Sequence, residues 1–123
     1  MKIHLLLSTV ALVGLCACSA SHTATNASVT AERETARMAP VVERYKKDQI
    51  LTGFDIKGNA LVAYADTEKL SEMDDASENA MKADLLNNWA ATWKAGHPRA
   101  HASLSVLLQN YYGQKISSQT KGI

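Results

Sequence analysis

Cysteine is almost absent from this chain of 123 residues. There are two cysteines, and both lie near the amino terminus, at Cys16 and Cys18. The rest of the chain therefore cannot form a disulfide of its own. Small secreted domains often depend on disulfides, whereas this one has to fold on its hydrophobic core alone. Its length corresponds to a single domain.

An excess of charge of one sign is missing too. The 13 lysines and arginines are balanced by 12 aspartates and glutamates, and the formal net charge is +1. One local basic spot, formed by Arg44, Lys46 and Lys47, is interpreted as the polar side of a helix. Because the sequence has no basic cluster that would match a phosphate backbone, we expect no nucleic-acid partner.

Catalytic and metal-binding motifs are also lacking. The sequence contains neither an HExxH zinc motif nor a glycine-rich phosphate loop. His97 and His101 are four residues apart, but Gly96 and Pro98 interrupt any helix that would align them. We interpret both as loop histidines, and a weak metal site in that loop is the alternative. The expectation is a protein that is not an enzyme, with no catalytic residues and no cofactor.

The amino terminus carries the most informative pattern. Lys2 precedes an apolar run over residues 3–15, which is shorter than the roughly 20 residues that a transmembrane helix needs. The run ends in Leu15-Cys16-Ala17-Cys18, with a branched apolar residue three places before Cys18 and a small one directly before it. This segment resembles the lipobox of bacterial lipoproteins. The alternative is an ordinary secretory signal that is cut at Ala17 or Ala20.

The resemblance implies that residues 1–17 are a signal peptide and that the thiol of Cys18 carries the lipid, palmitate included. Several acyl chains, at about 0.8 kcal/mol per buried CH₂, hold a protein at a membrane far more firmly than one. Ser19 resembles the residue found there in lipoproteins exported to the outer membrane, whereas aspartate favours the inner membrane. We therefore expect a lipid-anchored protein of the bacterial outer membrane that faces the periplasm, with the inner membrane as the less favoured location.

Residues 18–30 are predicted to be the lipidated cysteine and a flexible tether. From Ser19 to Thr30 the chain is almost entirely small and polar. Twelve residues of this kind span roughly 20 Å on average. The remainder, residues 31–123, is predicted to be one small periplasmic domain.

Two helices are predicted from apolar residues that recur at helical spacing. The first covers residues 31–47, with a frayed start and Pro40 in the first turn of its regular part. The second begins after Asp74, which can cap it, and ends at Gly96. Trp89 and Trp93 lie on the apolar stripe of this second helix, and we predict that both belong to the core.

Two β-hairpins are predicted from alternating apolar residues. The first covers residues 50–66, turns at Lys57-Gly58-Asn59, and has a bulge or a close backbone approach at Gly53. The second covers residues 101–121 and turns at residues 110–113. The last residues of the chain are polar and are predicted to be frayed. The predicted fold class is α+β: a two-layer sandwich of a four-stranded antiparallel sheet, with a ββαββ core and an N-terminal helix.

Three apolar residues near the second turn form the candidate partner-binding surface: Leu107, Tyr111 and Tyr112. Two aromatic residues at the tip of a hairpin are difficult to bury together, and Leu107 interrupts the polar face of its strand. The leading hypothesis is a non-enzymatic binding or assembly-accessory module with an envelope protein as its partner. The alternative is a periplasmic binder of a small molecule, a glycan or peptidoglycan.

Overall fold

The computed structural model describes residues 22–123, and their fold is α+β. The predicted signal peptide and the lipid site at Cys18 lie outside the described residues. Residues 33–123 form one unit, and the described residues before them belong to another. The elements in chain order are α1 (His22–Lys47), β1 (Leu51–Lys57), β2 (Ala60–Ala65), α2 (Thr67–Ser71), α3 (Asp75–Gly96), β3 (Ser103–Gln109) and β4 (Lys115–Gly122).

Helix α1 is longer than the sequence predicts. It begins at His22, so most of the segment predicted as a tether is helical, and it continues through Pro40 without ending there. The reason lies in the residues on either side of the proline. Met38 and Val42 are fully buried, whereas Pro40 and Ala36 lie on the exposed side. Water can therefore reach the carbonyl of Ala36, which has lost its intrahelical donor.

The first hairpin forms as predicted. Strands β1 and β2 pair antiparallel from Leu51↔Ala65 to Lys57↔Ala60. Gly58 has a φ of 59°, which is the left-handed conformation that a tight reversal requires. Of the two predictions for Gly53, the bulge is confirmed, because the register shifts between Leu51 and Gly53. A Cβ built at Gly53 meets no atom of the described residues within 4 Å, so the alternative of a close backbone approach is not seen in this part of the chain.

Helix α3 also matches its prediction. The side chain of Asp74 caps it by accepting a hydrogen bond of 2.6 Å from the backbone N–H of Ser77. The apolar stripe enters the core, and Trp89 and Trp93 are both buried. The helix ends at Gly96, with His97 as its C-terminal cap.

The sheet is mixed, so the predicted antiparallel sheet is wrong in its centre. The strand order is β1-β2-β3-β4, and β2 pairs with β3 in parallel, from Ala60↔Ser105 to Tyr64↔Gln109. The outer pairs are antiparallel. The cause is the crossover: α3 returns the chain to the end of the sheet where β2 began, and a strand that starts there runs parallel to β2.

The predicted ββαββ order is not matched either. A separate helix, α2, precedes α3 and is capped by Asp66, whose side chain accepts from the N–H of Lys69 at 3.1 Å. Leu70 anchors this short helix in the core. The chain after α1 therefore reads ββααββ.

The part of helix α1 from Met38 to Tyr45 lies beside helix α3 and runs in the opposite direction. Thr92 Oγ1 lies 3.4 Å from Met38 Sδ, and Tyr45 Oη donates to Asp84 Oδ2 at 2.6 Å. Positions that increase along α1 thus meet positions that decrease along α3. Both helices share one hydrophobic core with alternate residues of the sheet, among them Leu104, Val106 and Leu108.

The C-terminal residues were predicted to be frayed, and this prediction is wrong because they are paired. Strand β4 extends to Gly122, and Ile123 exchanges two backbone hydrogen bonds with Ala102, of 2.9 and 3.1 Å. Ile123 also packs against the core. Within residues 22–123, no helix is both long and apolar enough to cross a membrane.

Candidate functional site

The turn between β3 and β4 is held by the side chain of one residue. Asn110 Oδ1 accepts hydrogen bonds from the backbone N–H groups of Tyr112 and Gln114, both at 2.9 Å. Its Nδ2 donates to the Gln114 side-chain oxygen, also at 2.9 Å. Asparagine favours such turns because its short side chain reaches the backbone two residues further on.

The backbone closes the same turn. The N–H of Gly113 donates to the carbonyl of Asn110, and the N–H of Asn110 donates to the carbonyl of Gln114, both at 3.0 Å. Gly113 has a φ of 79°, a left-handed conformation that glycine adopts without strain. Five hydrogen bonds therefore fix a turn of five residues. The prediction of a turn at residues 110–113 is confirmed.

The two tyrosines of this turn are almost entirely exposed. Tyr111 is 91% exposed and Tyr112 is 84% exposed. Their ring centroids are 5.5 Å apart and their planes lie at 87°, an edge-to-face pair. This geometry is one that aromatic rings prefer. We call Tyr111, Tyr112 and the residues of the turn that hold them the tyrosine turn.

Leu107, the third predicted contact residue, lies on the sheet and not in the turn. It occupies the face of β3 opposite the buried Leu104, Val106 and Leu108 and is half-buried. Its neighbours across the two ladders are Val62 and Ser118. Leu107 thus belongs to the open face of the sheet, on the strand that leads into the tyrosine turn.

Ile116 is another apolar residue near this turn, and it lies within the second predicted hairpin. It is 36% exposed and lies where the β3–β4 register shifts, between the pairs Gln109↔Lys115 and Leu108↔Ser117. A bulge adds one residue on one strand and redirects its side chain. Strand periodicity predicts that Ile116 lies in a strand, but it cannot predict the bulge. The sequence therefore carries no direct signal that the Ile116 side chain is exposed.

The two histidines have different surroundings. His97 caps α3, its Nδ1 lies 2.9 Å from the carbonyl oxygen of Trp93, and its ring stacks on the Trp93 ring at 4.2 Å between centroids. His101 is exposed in the loop before β3. Across residues 22–123 no group of three or more histidine, cysteine, aspartate or glutamate side chains is placed to hold a metal ion.

Glu34 is an acidic residue on α1 that is partly buried. Its Oε2 is buried without a hydrogen-bond partner. Burial raises the pKa of the Glu34 carboxyl above its ordinary value, and the neighbouring His97 opposes that shift. The negative charge of the ionised Glu34 carboxylate is therefore destabilising in the folded state.

Compared with protein-family models, curated protein sequences and solved structures, the chain matches none. Its function therefore has to be inferred from its own residues. Of these, the tyrosine turn combines large exposed aromatic surface with a tightly hydrogen-bonded backbone. That combination suits recognition, because a surface that is ordered beforehand loses little entropy when it binds.

Proposed function

We propose that the protein is a lipid-anchored component of the bacterial envelope and that it binds another envelope protein through the tyrosine turn. The observation that carries the binding role is the exposure of Tyr111 and Tyr112 on a turn that Asn110 holds in place. Tyrosine is enriched at the centres of protein interfaces because it contributes a large rigid ring and a hydroxyl group.

The location rests on the amino-terminal sequence. Leu15, Ala17 and Cys18 match the lipobox pattern, and Ser19 favours the outer membrane over the inner one. An anchor on Cys18 would keep the domain at the periplasmic side of that membrane. A tethered domain finds a membrane-bound partner more easily, because tethering raises its effective concentration there.

The role that we favour is a non-enzymatic assembly accessory. Such a module needs an anchor, a folded domain and a contact surface. The residues that would supply them are Cys18, the core built around Trp89 and Trp93, and the tyrosine turn.

Lipidation is tested by radiolabelled palmitate. We expect the wild type to incorporate the label, Cys18→Ser to lose it, and the matched variant Cys16→Ser to retain it, because Cys16 leaves with the signal peptide. Incorporation in Cys18→Ser would refute the anchor. Intact-mass measurement of the mature protein then identifies the new amino terminus.

Partner binding is tested by a photo-crosslinking amino acid at Tyr112 in living cells. A specific adduct with an envelope protein is expected from this position, and none from the matched exposed position Glu43 on α1. Identical adducts from both positions, or none from Tyr112, would contradict a role for the tyrosine turn.

A glycan is the second candidate ligand, and the favouring observation is again the exposed edge-to-face ring pair. Aromatic rings present apolar faces on which sugar rings can pack. Titration of soluble peptidoglycan fragments into the full-length protein, followed by NMR of the tyrosine rings, separates this candidate from a protein partner. Shifts confined to Tyr111 and Tyr112 would support the glycan.

A further inference from the structure

Strand β4 forms one edge of the sheet. Its only partner in the described strand order is β3, so its other side offers backbone groups for pairing. The direction of those groups follows from the reciprocal bonds between Ala102 and Ile123. Antiparallel pairs alternate between bonded and non-bonded positions. Lys121 and Gln119 therefore bond to β3, whereas Ser118, Thr120 and Gly122 direct their N–H and C=O groups outward.

An independent hydrogen bond supports this assignment. Ser105 lies opposite Thr120 in the β3–β4 ladder, and its N–H donates to the carbonyl of Asn59 at 3.2 Å, on the β2 side. Ser105 thus directs its backbone N–H toward β2 and not toward β4. Its cross-strand partner Thr120 occupies the same non-bonded pair, so its N–H and C=O groups point away from β3, toward the free side of β4.

The outer side of β4 has a bulge at Ile116 and a lysine near each end, at Lys115 and Lys121, but the segment between these features has no protection against pairing. Edge strands are usually blocked by charge, proline or a bulge. Residues 116–120 contain no charge and no proline. Lys121 donates to Asn87 Oδ1 at 3.2 Å and is thereby held on the helix side of the sheet. The opposite edge, β1, also has a bulge, at Gly53, but it differs from β4 in carrying Asp55 and Lys57 within its regular part.

We propose that β4 pairs antiparallel with β4 of a second copy of this chain, about a two-fold axis at Gln119. This register sets the outward residue Ser118 opposite Thr120 of the second copy, and Thr120 opposite its Ser118. Each pair exchanges two backbone hydrogen bonds. The two hydroxyl side chains also lie next to each other, which is a favourable cross-strand pair.

Charge selects this register among the possible ones. In it Lys121 faces Ser117 of the second copy. Moving the axis to Ser118 would set Lys121 opposite Lys115, and like charges directly opposite destabilise a sheet. Moving the axis to Thr120 would shorten the paired segment. The interface is isologous, as two-fold contacts are, and it leaves the tyrosine turn of each copy unused.

A cysteine scan tests the register. The full chain is purified in detergent with Cys16 and Cys18 replaced by serine, and Gln119→Cys or Lys121→Cys is added before oxidation. Residue 119 meets itself across the axis in a non-bonded pair with Cα atoms about 4.5 Å apart, within disulfide range. The two copies of residue 121 are four residues apart along the paired strands, which is about 14 Å at roughly 3.4 Å per residue.

We expect Gln119→Cys to yield at least five-fold more disulfide-linked dimer than Lys121→Cys. Equal yields, or no dimer from either variant, would overturn the proposal. Adding Thr120→Pro to Gln119→Cys should reduce the dimer to the Lys121→Cys level, because the outward N–H is lost, whereas Thr120→Ala should retain it. Since the Thr120 amide does not bond to β3, Thr120→Pro should still unfold cooperatively. A failure to fold would refute the outward assignment itself.

Discussion

The indole Nε1 of Trp89 donates a hydrogen bond to the backbone carbonyl of Asn59, 2.9 Å away. The same carbonyl accepts from the N–H of Ser105 at 3.2 Å. One peptide group therefore joins helix α3, the turn of the first hairpin and the start of β3. Trp89 is fully buried whereas Asn59 is exposed, so this bond is part-buried and lies at the boundary between the core and the turn. It fixes the point at which β3 begins to run parallel to β2.

We expect Trp89→Phe to lower the free energy of unfolding by about 2 kcal/mol. The change removes one part-buried hydrogen bond, for which about 1 kcal/mol is typical, and leaves a cavity smaller than that of a truncation to alanine. Urea unfolding followed by far-ultraviolet circular dichroism measures the loss. The matched control is Asn59→Ala, which keeps the carbonyl and changes only an exposed side chain. If Asn59→Ala lowered the free energy of unfolding as much as Trp89→Phe, the stabilisation could not be attributed to the bond between Trp89 and the Asn59 backbone carbonyl.

Asp84 receives three side-chain hydrogen bonds, two from helix α1 and one from its own helix α3. Tyr45 Oη donates at 2.6 Å, Arg44 Nη2 at 3.0 Å and Asn88 Nδ2 at 3.1 Å. Burial, together with the bond to the Asp84 carboxylate, raises the pKa of Tyr45 to about 12. We expect Asp84→Asn to lower the pKa of Tyr45 toward 10, as followed by NMR of the tyrosine ring carbons.

The same contact has a consequence for alkaline stability. Because the pKa of Tyr45 is higher in the folded state, its contribution is fully present below pH 10 and is lost as the pH rises toward about 12. Asp84→Asn should lose less stability over that interval than the wild type. Asp55→Asn is the control, since its carboxylate raises the pKa of Tyr64 through their hydrogen bond. That variant should change the titration of Tyr64 and leave Tyr45 unchanged.

Glu34 should respond to pH in the neutral and acidic range. The pKa of its carboxyl is raised chiefly by burial, so folding favours the protonated form. The associated stability is present below the ordinary pKa of 4.5 and is lost as the pH rises through the folded-state value. We therefore expect Glu34→Gln to raise the melting temperature at pH 7 and to have no such effect at pH 3.

The control for that comparison is Glu43→Gln, an exposed position on the same helix. Its effect should stay within about 0.5 kcal/mol at either pH, as is usual for surface substitutions. If Glu34→Gln stabilised equally at both pH values, the gain would come from helix propensity and not from removing a buried charge.

Much of the fold follows from local patterns in the sequence. The capping of α3 by Asp74, the turn at Gly58 and the bulge at Gly53 depend on residues that are neighbours in the chain, and each was predictable. The direction of β3 relative to β2 was not, because it depends on where a long crossover returns. The passage of α1 through Pro40 likewise depends on Met38 and Val42 finding a core elsewhere in the chain.

Some features of the candidate site were predictable from the local sequence, and others depend on pairing between strands. The sequence predicts a turn at residues 110–113 because asparagine and glycine occupy fixed places in it. It also indicates that two adjacent tyrosines there are hard to bury. What it cannot show is that Leu107 lies on the sheet beside Val62, or that a bulge exposes Ile116, since both result from pairing between strands.

Two glycines should respond oppositely to alanine. Gly113→Ala is expected to destabilise the protein by about 1 kcal/mol, because its φ of 79° is strained for a residue with a Cβ. Gly53→Ala is expected to stabilise it by about 0.5 kcal/mol, since a Cβ there meets no atom within 4 Å and the unfolded chain loses freedom. Thermal unfolding of the two variants measures both signs. Similar effects of the two changes would argue against the left-handed turn.

The tyrosine turn permits a final separation of binding from stability. Replacing Tyr111 and Tyr112 together by serine removes two rings that are 91% and 84% exposed, so the free energy of unfolding should change by less than about 0.5 kcal/mol. Crosslinking of the envelope partner, with the photo-reactive residue moved to Gln114, should nevertheless be lost. Exposed rings that contribute to binding and not to the core are expected to behave in this way.

Asn110→Ala provides the complementary test, because it keeps both rings and removes the side chain that orders them. Three of the five hydrogen bonds in the turn involve that side chain. A net hydrogen bond typically contributes about 1 kcal/mol, and water partly replaces the lost partners in this exposed turn, so we expect the three losses together to cost about 1–2 kcal/mol. Crosslinking from Tyr112 should also be weaker. Full crosslinking in Asn110→Ala would mean that the partner needs the rings but not their fixed arrangement, and pre-organisation would then not explain the tyrosine turn.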